Sequence, residues 1–386
     1  MYKKIPRNVI LLGLVSFFND VASEMIYPII PIFLTTILGT PIAVIGFIEG
    51  IAEATASLSK FIFGYISDYF QKRKPFVIAG YTFGTISKML IGLASSWQLV
   101  LFARFIDRLG KGLRTAARDS LLLENATHQN KGFIFGFHRA FDSLGAVLGP
   151  LIALVLLVLL KDNIRLVFFL AFIPSAIGVV LLWIFVREKK KPVLLGERKF
   201  VSLSWRKLSP RLQLFLLVSF LFSAGNSSDV FLLLQAKNLG LTTTLVVLVY
   251  VLYNISQTVF ATHFGSLADK IGARKVFAAG LVVFALVYFV FGIIKNPFWL
   301  WFIFPIYGIY IAATDGVSKA YISEFITHEE SGTFFGLHQT LTAVAGFLAS
   351  FIGGILWSTI GPTALFWYGS LMALVSLSMF VLSKRI

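Results

Sequence analysis

GYISDYFQKRKPFVIAG at residues 64–80 and GSLADKIGARKVFAAG at residues 265–280 are two versions of one stretch. Each runs from a glycine (Gly64, Gly265) through an acid (Asp68, Asp269) to a basic cluster. The clusters are Lys72, Arg73 and Lys74 in the first copy and Arg274 and Lys275 in the second, and each leads into an apolar run that reaches Gly80 or Gly280. A second pair keeps the same separation of about 200 residues, KGFIFGFHRAF at 131–141 and SGTFFGLHQTL at 331–341. There Gly132, Phe135, Gly136 and His138 meet Gly332, Phe335, Gly336 and His338. LVSFF at 14–18 is echoed by LVSFL at 217–221. A repeat of this length means two copies of one structural unit.

The composition says where those units reside. The chain is 57% hydrophobic and only 13% charged, with a mean hydropathy of +0.84. Soluble domains carry about 25% charged residues. Segments of about 20 mostly apolar residues cross a bilayer as helices, and twelve can be marked. The first six are 9–38, 42–67, 75–95, 97–121, 133–160 and 164–186, and the second six are 212–239, 241–268, 276–295, 297–325, 333–357 and 363–382. The expected fold is an all-α membrane protein with twelve transmembrane helices in two pseudo-symmetric six-helix bundles. Residues 1–186 form the first bundle, 187–211 a basic cytoplasmic linker and 212–386 the second bundle. The N-terminal MYKKIPRNVILLGLVSFF has the look of a signal peptide, but its apolar run continues through Asp20 and Glu24 with no small-residue cleavage site, so it reads as the first span.

Lys and Arg set the orientation. Lys3, Lys4, Arg7, the Lys72–Lys74 cluster, Lys131, nine bases in the linker, Lys270, Arg274, Lys275, Lys384 and Arg385 fall on one side. The opposite loops hold only Lys161, Arg165, Lys237 and Lys295. Both termini and the linker are therefore expected in the cytoplasm, and the membrane is expected to be the bacterial cytoplasmic (inner) membrane. The formal charge of +16 is absorbed by this topology and does not point to nucleic acid. Cysteine is absent, which removes disulfides and thiolate metal sites.

The duplicated loop resembles the signature loop of the major facilitator superfamily. The second copy keeps the pattern at Gly265, Asp269, Lys270, Gly272 and Arg274, whereas the first has Tyr69 and Gln71 where a base and a glycine are usual. The resemblance covers the chain: twelve spans, a central basic loop and the repeated motif. It implies that Gly64, Asp68, Lys72, Arg73, Gly265, Asp269 and Arg274 serve a cytoplasmic gate, joined by Arg114, Arg118 and Asp119 at the cytoplasmic end of the fourth span. Gly145, Gly149 and Pro150 are similar to the family's fifth-helix packing motif of proton-exchanging exporters, with Ala153 and Leu154 replacing two glycines.

The fourth span carries the strongest chemistry. In LFARFIDRLGKGLRTAARDSL (101–121), Arg104, Asp107, Arg108, Lys111, Arg114, Arg118 and Asp119 fall within an arc of roughly 140° on a helical wheel. Bases at membrane depth persist only against a water-filled cavity, an acidic partner or a charged ligand. Other spans add Asp20 and Glu24, Glu49, Glu53 and Lys60, Lys88, and His138, Arg139 and Asp142. The second half is poorer, with Asp229, His263, Asp315 and Lys319. Asp20, Glu24 and Glu53 are the candidate proton carriers, because movement of a buried carboxylate past a cation changes its protonation. Arg104, Arg108, Lys88 and Glu49 are the candidate substrate ligands, since guanidinium groups hold carboxylates and phosphates by forked hydrogen bonds. Structural pairing competes for the same groups.

The leading reading is a monomeric secondary active transporter that works by alternating access, coupled to protons, for a small organic anion such as a carboxylate or siderophore. The alternative is a proton-coupled exporter of drugs or amphipathic compounds. The partners are then membrane lipid, a small-molecule substrate and protons. No cofactor is expected, and the chain carries no G-x-x-x-x-G-K-[ST] loop for ATP. It reads as no enzyme, because its five His are scattered and no H-E-x-x-H occurs. A metal carrier built on Asp20, Glu24, Glu49 and Glu53 as oxygen ligands is opposed by the nearby bases, so no metal is expected.

Overall fold

The computed structural model describes residues 5–70, 73–124, 131–188, 208–325 and 331–383. Among them every regular element is helical. The first half contains α1 (Arg7–Ile26), a short α2 (Ile30–Ile32) that runs into a π turn (Phe33–Ile37), α3 (Ile42–Phe70), α4 (Lys74–Leu93), α5 (Trp97–Glu124), α6 (Lys131–Leu159) and α7 (Ile164–Phe185). The second contains α8 (Pro210–Gly225), α9 (Val230–Asn238), α10 (Thr243–Ile271), α11 (Ala273–Ile293), α12 (Leu300–Ser323), α13 (Ser331–Thr359) and α14 (Pro362–Leu382). Among the described residues eleven spans are long and apolar enough to cross a membrane. The twelfth is α5, whose 28 residues suffice in length and whose charges alone set it apart.

Two expected spans are not continuous helices. The first is interrupted at residues 27–29, ahead of the π turn, where Pro28 and Pro31 each lack the N–H that a helix interior requires. The seventh is interrupted at residues 226–229, in the sequence Asn-Ser-Ser-Asp. Such side chains offer backbone groups local partners and so compete with helix. Ser228 Oγ accepts from the Val230 amide at 3.4 Å, and Ser350 Oγ accepts from the Ser228 amide at 3.1 Å. Both interruptions fall in the two spans that share the LVSF repeat.

Helix starts follow the sequence. Asn163, Ser209 and Thr242 cap α7, α8 and α10 by accepting from Leu166, Leu212 and Leu245 amides at 3.3 Å. Gly272 joins α10 to α11 at φ +95°, a left-handed conformation that only glycine adopts freely.

Contacts divide the chain into two compact units. The first comprises Met1–Gly39 and Thr55–Leu195, and the second Thr40–Ala54 and Gly196–Ile386. The units differ from the halves of the repeat in the segment 40–54. There Gly46, Gly50 and Ala43 lie against Ser350, Phe347 and Gly354 of α13. The first unit's core joins Val9, Leu12 and Val15 of α1 to Tyr81 of α4, Ala117 and Leu121 of α5, and Leu182 of α7. The second unit's core is aromatic. Phe215 of α8 touches Phe277, Tyr321 and Phe380 and stacks on His338 at 5.9 Å. One side of α7, with Ile173, Ile177, Val180 and Trp183, stays exposed, as a lipid-facing surface must.

The glycine near the end of each duplicated stretch marks a close helix crossing. A Cβ at Gly80 on α4 would stand 2.6 Å from the Gly110 carbonyl oxygen of α5, and one at Gly280 on α11 would stand 2.5 Å from Thr314 Cγ2 of α12. Backbones at such crossings approach because no side chain separates them. Gly80→Ala should therefore destabilise by about 1–3 kcal/mol, the range of overpacking, and no neighbouring side-chain change should restore it. Gly280→Ala should be destabilising alone and largely rescued by Thr314→Ser, which removes the obstructing methyl. Thermal unfolding of the purified variants checks both.

Candidate functional site

The Gly80–Gly110 crossing lays the basic face of α5 against α4 and α1, and the charges there are not left to themselves. Lys88 of α4 is 0% exposed. Its Nζ donates to the Gly84 carbonyl at 2.9 Å and to Ser23 Oγ at 3.3 Å, and it stands 3.9 Å from Asp107 Oδ1. Ser87 Oγ donates to the same carboxylate oxygen at 3.3 Å. Arg104, Arg108 and Arg114 surround Asp107, so one acid serves several bases. Arg114 lies 4.5 Å above the Tyr81 ring and Arg104 5.8 Å from the Tyr27 ring, beside the interruption of the first span. Both are cation–π contacts.

A second chain of hydrogen bonds links α1, α4, α5 and α6. Ser16 Oγ is its hub, 2.8 Å from Tyr81 OH and 2.9 Å from His138 Nε2, and it accepts from Arg118 Nη1 at 3.1 Å. His138 Nδ1 lies 3.6 Å from Asp142 Oδ2. Arg118 also donates from Nε and Nη2 to Asp119 Oδ1 at 3.1 and 3.0 Å. Asp142 faces Asp20, Arg118 and Arg139. The Gly145/Gly149 pair beside Pro150 makes this approach: a Cβ at Gly145 would stand 2.9 Å from Asp20 Cβ, and one at Gly149 2.8 Å from Glu24 Cβ.

The structure thus gathers Asp20, Lys88, Arg104, Arg108, Arg114, Arg118 and Asp119 in the first unit. It does not place Glu49 and Glu53 among them. Both belong to the segment of α3 that packs in the second unit. Glu49 is 5% exposed and accepts from Ser228 Oγ at 3.5 Å, while Glu53 is exposed.

The duplicated loop falls in part among the described residues. Gly64 and Asp68 lie on α3, whereas Lys72 lies outside the described residues. Arg73 Nη1 donates to Glu124 Oε1 at 2.8 Å. The Glu188 carboxylate accepts from the Arg73 and Lys74 amides at 2.6 and 3.1 Å, capping α4. Lys74 Nζ reaches the Trp183 carbonyl at 2.9 Å, at the end of α7. In the second copy Arg274 Nη2 reaches the Phe380 carbonyl at 2.7 Å, near the end of α14, while Gly265 and Asp269 are exposed on α10. In each copy a base just past the loop neutralises the C-terminal end of the last helix of its half. The sequence reading gave Arg73 and Arg274 to a gate and missed this shared anchoring role, which Lys74 holds in the first copy.

The second unit holds a site that the sequence reading passed over. Asp229, at the interruption of the seventh span, accepts from Tyr307 OH at 2.6 Å through Oδ1 and from Tyr253 OH at 2.9 Å through Oδ2. Tyr288 OH lies 3.2 Å from Ser227 Oγ, and Asn226 Nδ2 donates to Tyr310 OH at 2.9 Å. The rings are contiguous, with centroids 5.4 Å apart for Tyr253–Tyr307 and 5.1 Å for Tyr307–Tyr310. The usable signal was a lone acid in a polar Asn-Ser-Ser-Asp run within an apolar span, faced by tyrosines three apart at 307 and 310.

The Major Facilitator Superfamily family model matches residues 12–236 and 216–385. An uncharacterised MFS-type transporter of Methanocaldococcus jannaschii is 34% identical over 97% of this chain and 94% of its own length. The multidrug resistance protein MdtG of Yersinia enterocolitica is 24% identical over 93% of this chain and 89% of its own. Among solved structures, the nucleoside transporter NupG superposes with a TM-score of 0.79 at 14% identity, covering 99% of this chain and 100% of NupG. The POT family transporter PepTSo gives 0.80 at 13%, covering 99% and 98%. At those identities the likeness is one of fold.

Removal of one partner of a buried ion pair leaves the other uncompensated, which costs about 3–5 kcal/mol in water-soluble proteins. Asp107→Asn, which removes the acid that Lys88, Arg104, Arg108 and Arg114 share, should therefore lower the unfolding temperature sharply, and Lys88→Met, which leaves Asp107 among three arginines, should lower it by less. A Lys88 that served only as a substrate ligand would leave stability unmoved in Lys88→Met.

Proposed function

This chain belongs to the major facilitator superfamily, and from that premise we propose that it is a secondary transporter that exports amphipathic compounds by alternating access in exchange for protons. The observation that carries the choice of substrate is the pairing of bases of the first unit with acids of the same unit. Lys88 is held by Asp107, Arg118 by Asp119 and Arg73 by Glu124. Bases engaged in this way hold the helices together and are a weak lure for an anion, which would have to displace acids already in place. The likeness to MdtG over 93% of the chain, a protein described as a multidrug resistance protein, supports the same reading. The organic-anion reading keeps one specific support: Arg104, 4% exposed, lies beside Tyr27 at the interruption of the first span.

For the coupling proton, Asp20 is favoured within the first unit. It faces Asp142 and sits near Arg118 and Lys88, so a small shift of α1 against α5 alters the balance of charge around it. Glu24, on the same face of α1, is the neighbouring carrier. Glu53 keeps a place as a carboxylate of the second unit, apart from this set. The cytoplasmic placement of the termini follows the Lys/Arg bias and belongs to this proposal, as do the bacterial inner membrane and the monomeric state.

In everted vesicles with an acidified lumen, accumulation of the cationic dye rhodamine 6G is expected, and a protonophore should abolish it. Gradient-driven accumulation of a tricarboxylate, with none of the dye, would replace this reading with the anion carrier. Asp20→Asn should lower gradient-driven transport about tenfold or more while leaving dye exchange at equal pH on both sides. Equal losses in both modes would remove Asp20 from the coupling step.

A further inference from the structure

The carboxylate of Asp229 has hydrogen bonds but, among the described residues, no ion-pair partner. Its two donors, Tyr307 and Tyr253, are neutral hydroxyls. The charged groups that act on it most strongly are Glu53 and Glu49, which are acids themselves. In the first unit the opposite holds: Asp107 is ringed by bases. An acid at membrane depth without a positive partner is expensive, and such residues face a cavity or take a partner from outside the chain.

The surroundings define that partner. Tyr253 of α10, Tyr288 of α11, and Tyr307 and Tyr310 of α12 present a continuous set of rings, joined by Tyr250 at 5.4 Å from Tyr253. Tyrosine faces carry negative potential and attract organic cations, and several such faces around one site form an aromatic cage. The rings are buried, whereas Asp229 as a residue is half-buried. An independent feature asks for a donor. Oδ1 of Asn226 is buried with no hydrogen-bond partner among the described residues, while its Nδ2 is engaged by Tyr310. A buried acceptor left without a donor forfeits the hydrogen bonds it made to water. An N–H group on a ligand satisfies it.

We propose that Asp229, Asn226 and the tyrosines 253, 288, 307 and 310 form a binding site for the N–H-bearing cationic group of an aromatic or amphipathic organic cation. The carboxylate supplies the countercharge, Asn226 Oδ1 accepts an N–H, and the rings cover the apolar body. The interruption at 226–229 is what puts these groups there. A continuous helix would direct the Asn226 and Asp229 backbone groups to its own turns and leave less freedom in where their side chains point. This site deepens the exporter reading by naming a substrate class, and it rests on that reading only for its transport consequence.

The test is equilibrium binding to the purified full chain, read by fluorescence polarisation with rhodamine 6G, which is cationic and carries N–H groups. Fluorescein, of the same ring system and opposite charge, is the control. Wild type is expected to bind rhodamine 6G saturably and fluorescein not at all. Asp229→Asn, nearly isosteric, should weaken the dye about tenfold or more at an unchanged unfolding temperature. Tyr307→Phe, which keeps the ring, should retain binding within a few-fold. If Asp229→Asn lowers the unfolding temperature, Asp229→Glu decides: it restores the charge and must restore dye binding. Unchanged binding in Asp229→Asn, or a loss that appears only in Glu53→Gln, overturns the assignment, as does binding of fluorescein in place of the cation. Dye transport that persists in Asp229→Asn vesicles overturns this site and leaves the exporter reading standing. Dye binding lost in Asp229→Asn, from a wild type that transports only tricarboxylate, upholds the site and overturns the exporter reading.

Discussion

A charge inside a membrane has to be answered, and the way each unit answers its charges organises the rest of the molecule. In the first unit the answer is internal. Asp107 stands among Lys88, Arg104, Arg108 and Arg114, Arg118 leans on Asp119 and Ser16, and Arg73 on Glu124. These pairs demand that α1, α4, α5 and α6 approach closely, and glycines supply the approach at Gly80, Gly110, Gly145 and Gly149. Packing and electrostatics are one constraint here. A side chain at Gly145 would push Asp20 away from Asp142, and one at Gly80 would lift the whole basic face of α5 from α4.

The repeat has kept its scaffold and changed its chemistry. Ser16 and His138 correspond to Ser219 and His338. In the first unit they bond to each other at 2.9 Å and pass the contact on to Tyr81 and Arg118. In the second, His338 stacks on Phe215 and Ser219 Oγ is buried without a hydrogen-bond partner among the described residues. A hydrogen-bonded hub in one half has become an aromatic contact in the other. What both copies conserve is mechanical: the close crossings at Gly80 and Gly280, and the bases Lys74 and Arg274 on the last helix of each half. The two halves keep the same frame around different side-chain chemistry.

The frame was legible because it depends on patterns along the chain. Hydropathy, loop charge and the duplicated stretch sufficed for the twelve spans and the family. The crowding of charge on α5 was legible too, since one helix face is a local property. Partners were not. Nothing local says that Lys88 meets Asp107 or that Ser16 meets His138, because those contacts join helices 19 and 122 residues apart in register and depend on which glycine lets which backbone approach. Glu53 was grouped with Asp20 as a carboxylate within an apolar span, and that alone carries no information about which neighbour a helix segment chooses. The helix interruptions escaped for a related reason. Pro28 and the Asn-Ser-Ser-Asp run were visible, but a hydropathy window averages across them and reports one span.

Those interruptions explain why Asp229 can differ so much from the acids of the first unit. An acid on a regular helix shows its side chain to whichever neighbour the helix face meets, and a base on that neighbour, as Lys88 is to Asp107, can answer it. An acid at a break is positioned by its own backbone and by side chains from α10 and α12, here Tyr253 and Tyr307. It is held in place by hydroxyls, which fix direction without adding charge. Direction without neutralisation is what a binding site for a cation needs and what a structural ion pair lacks. The same sequence signs, an acid within an apolar span, therefore mean opposite things in the two halves, and the identity of the nearest donors decides between them.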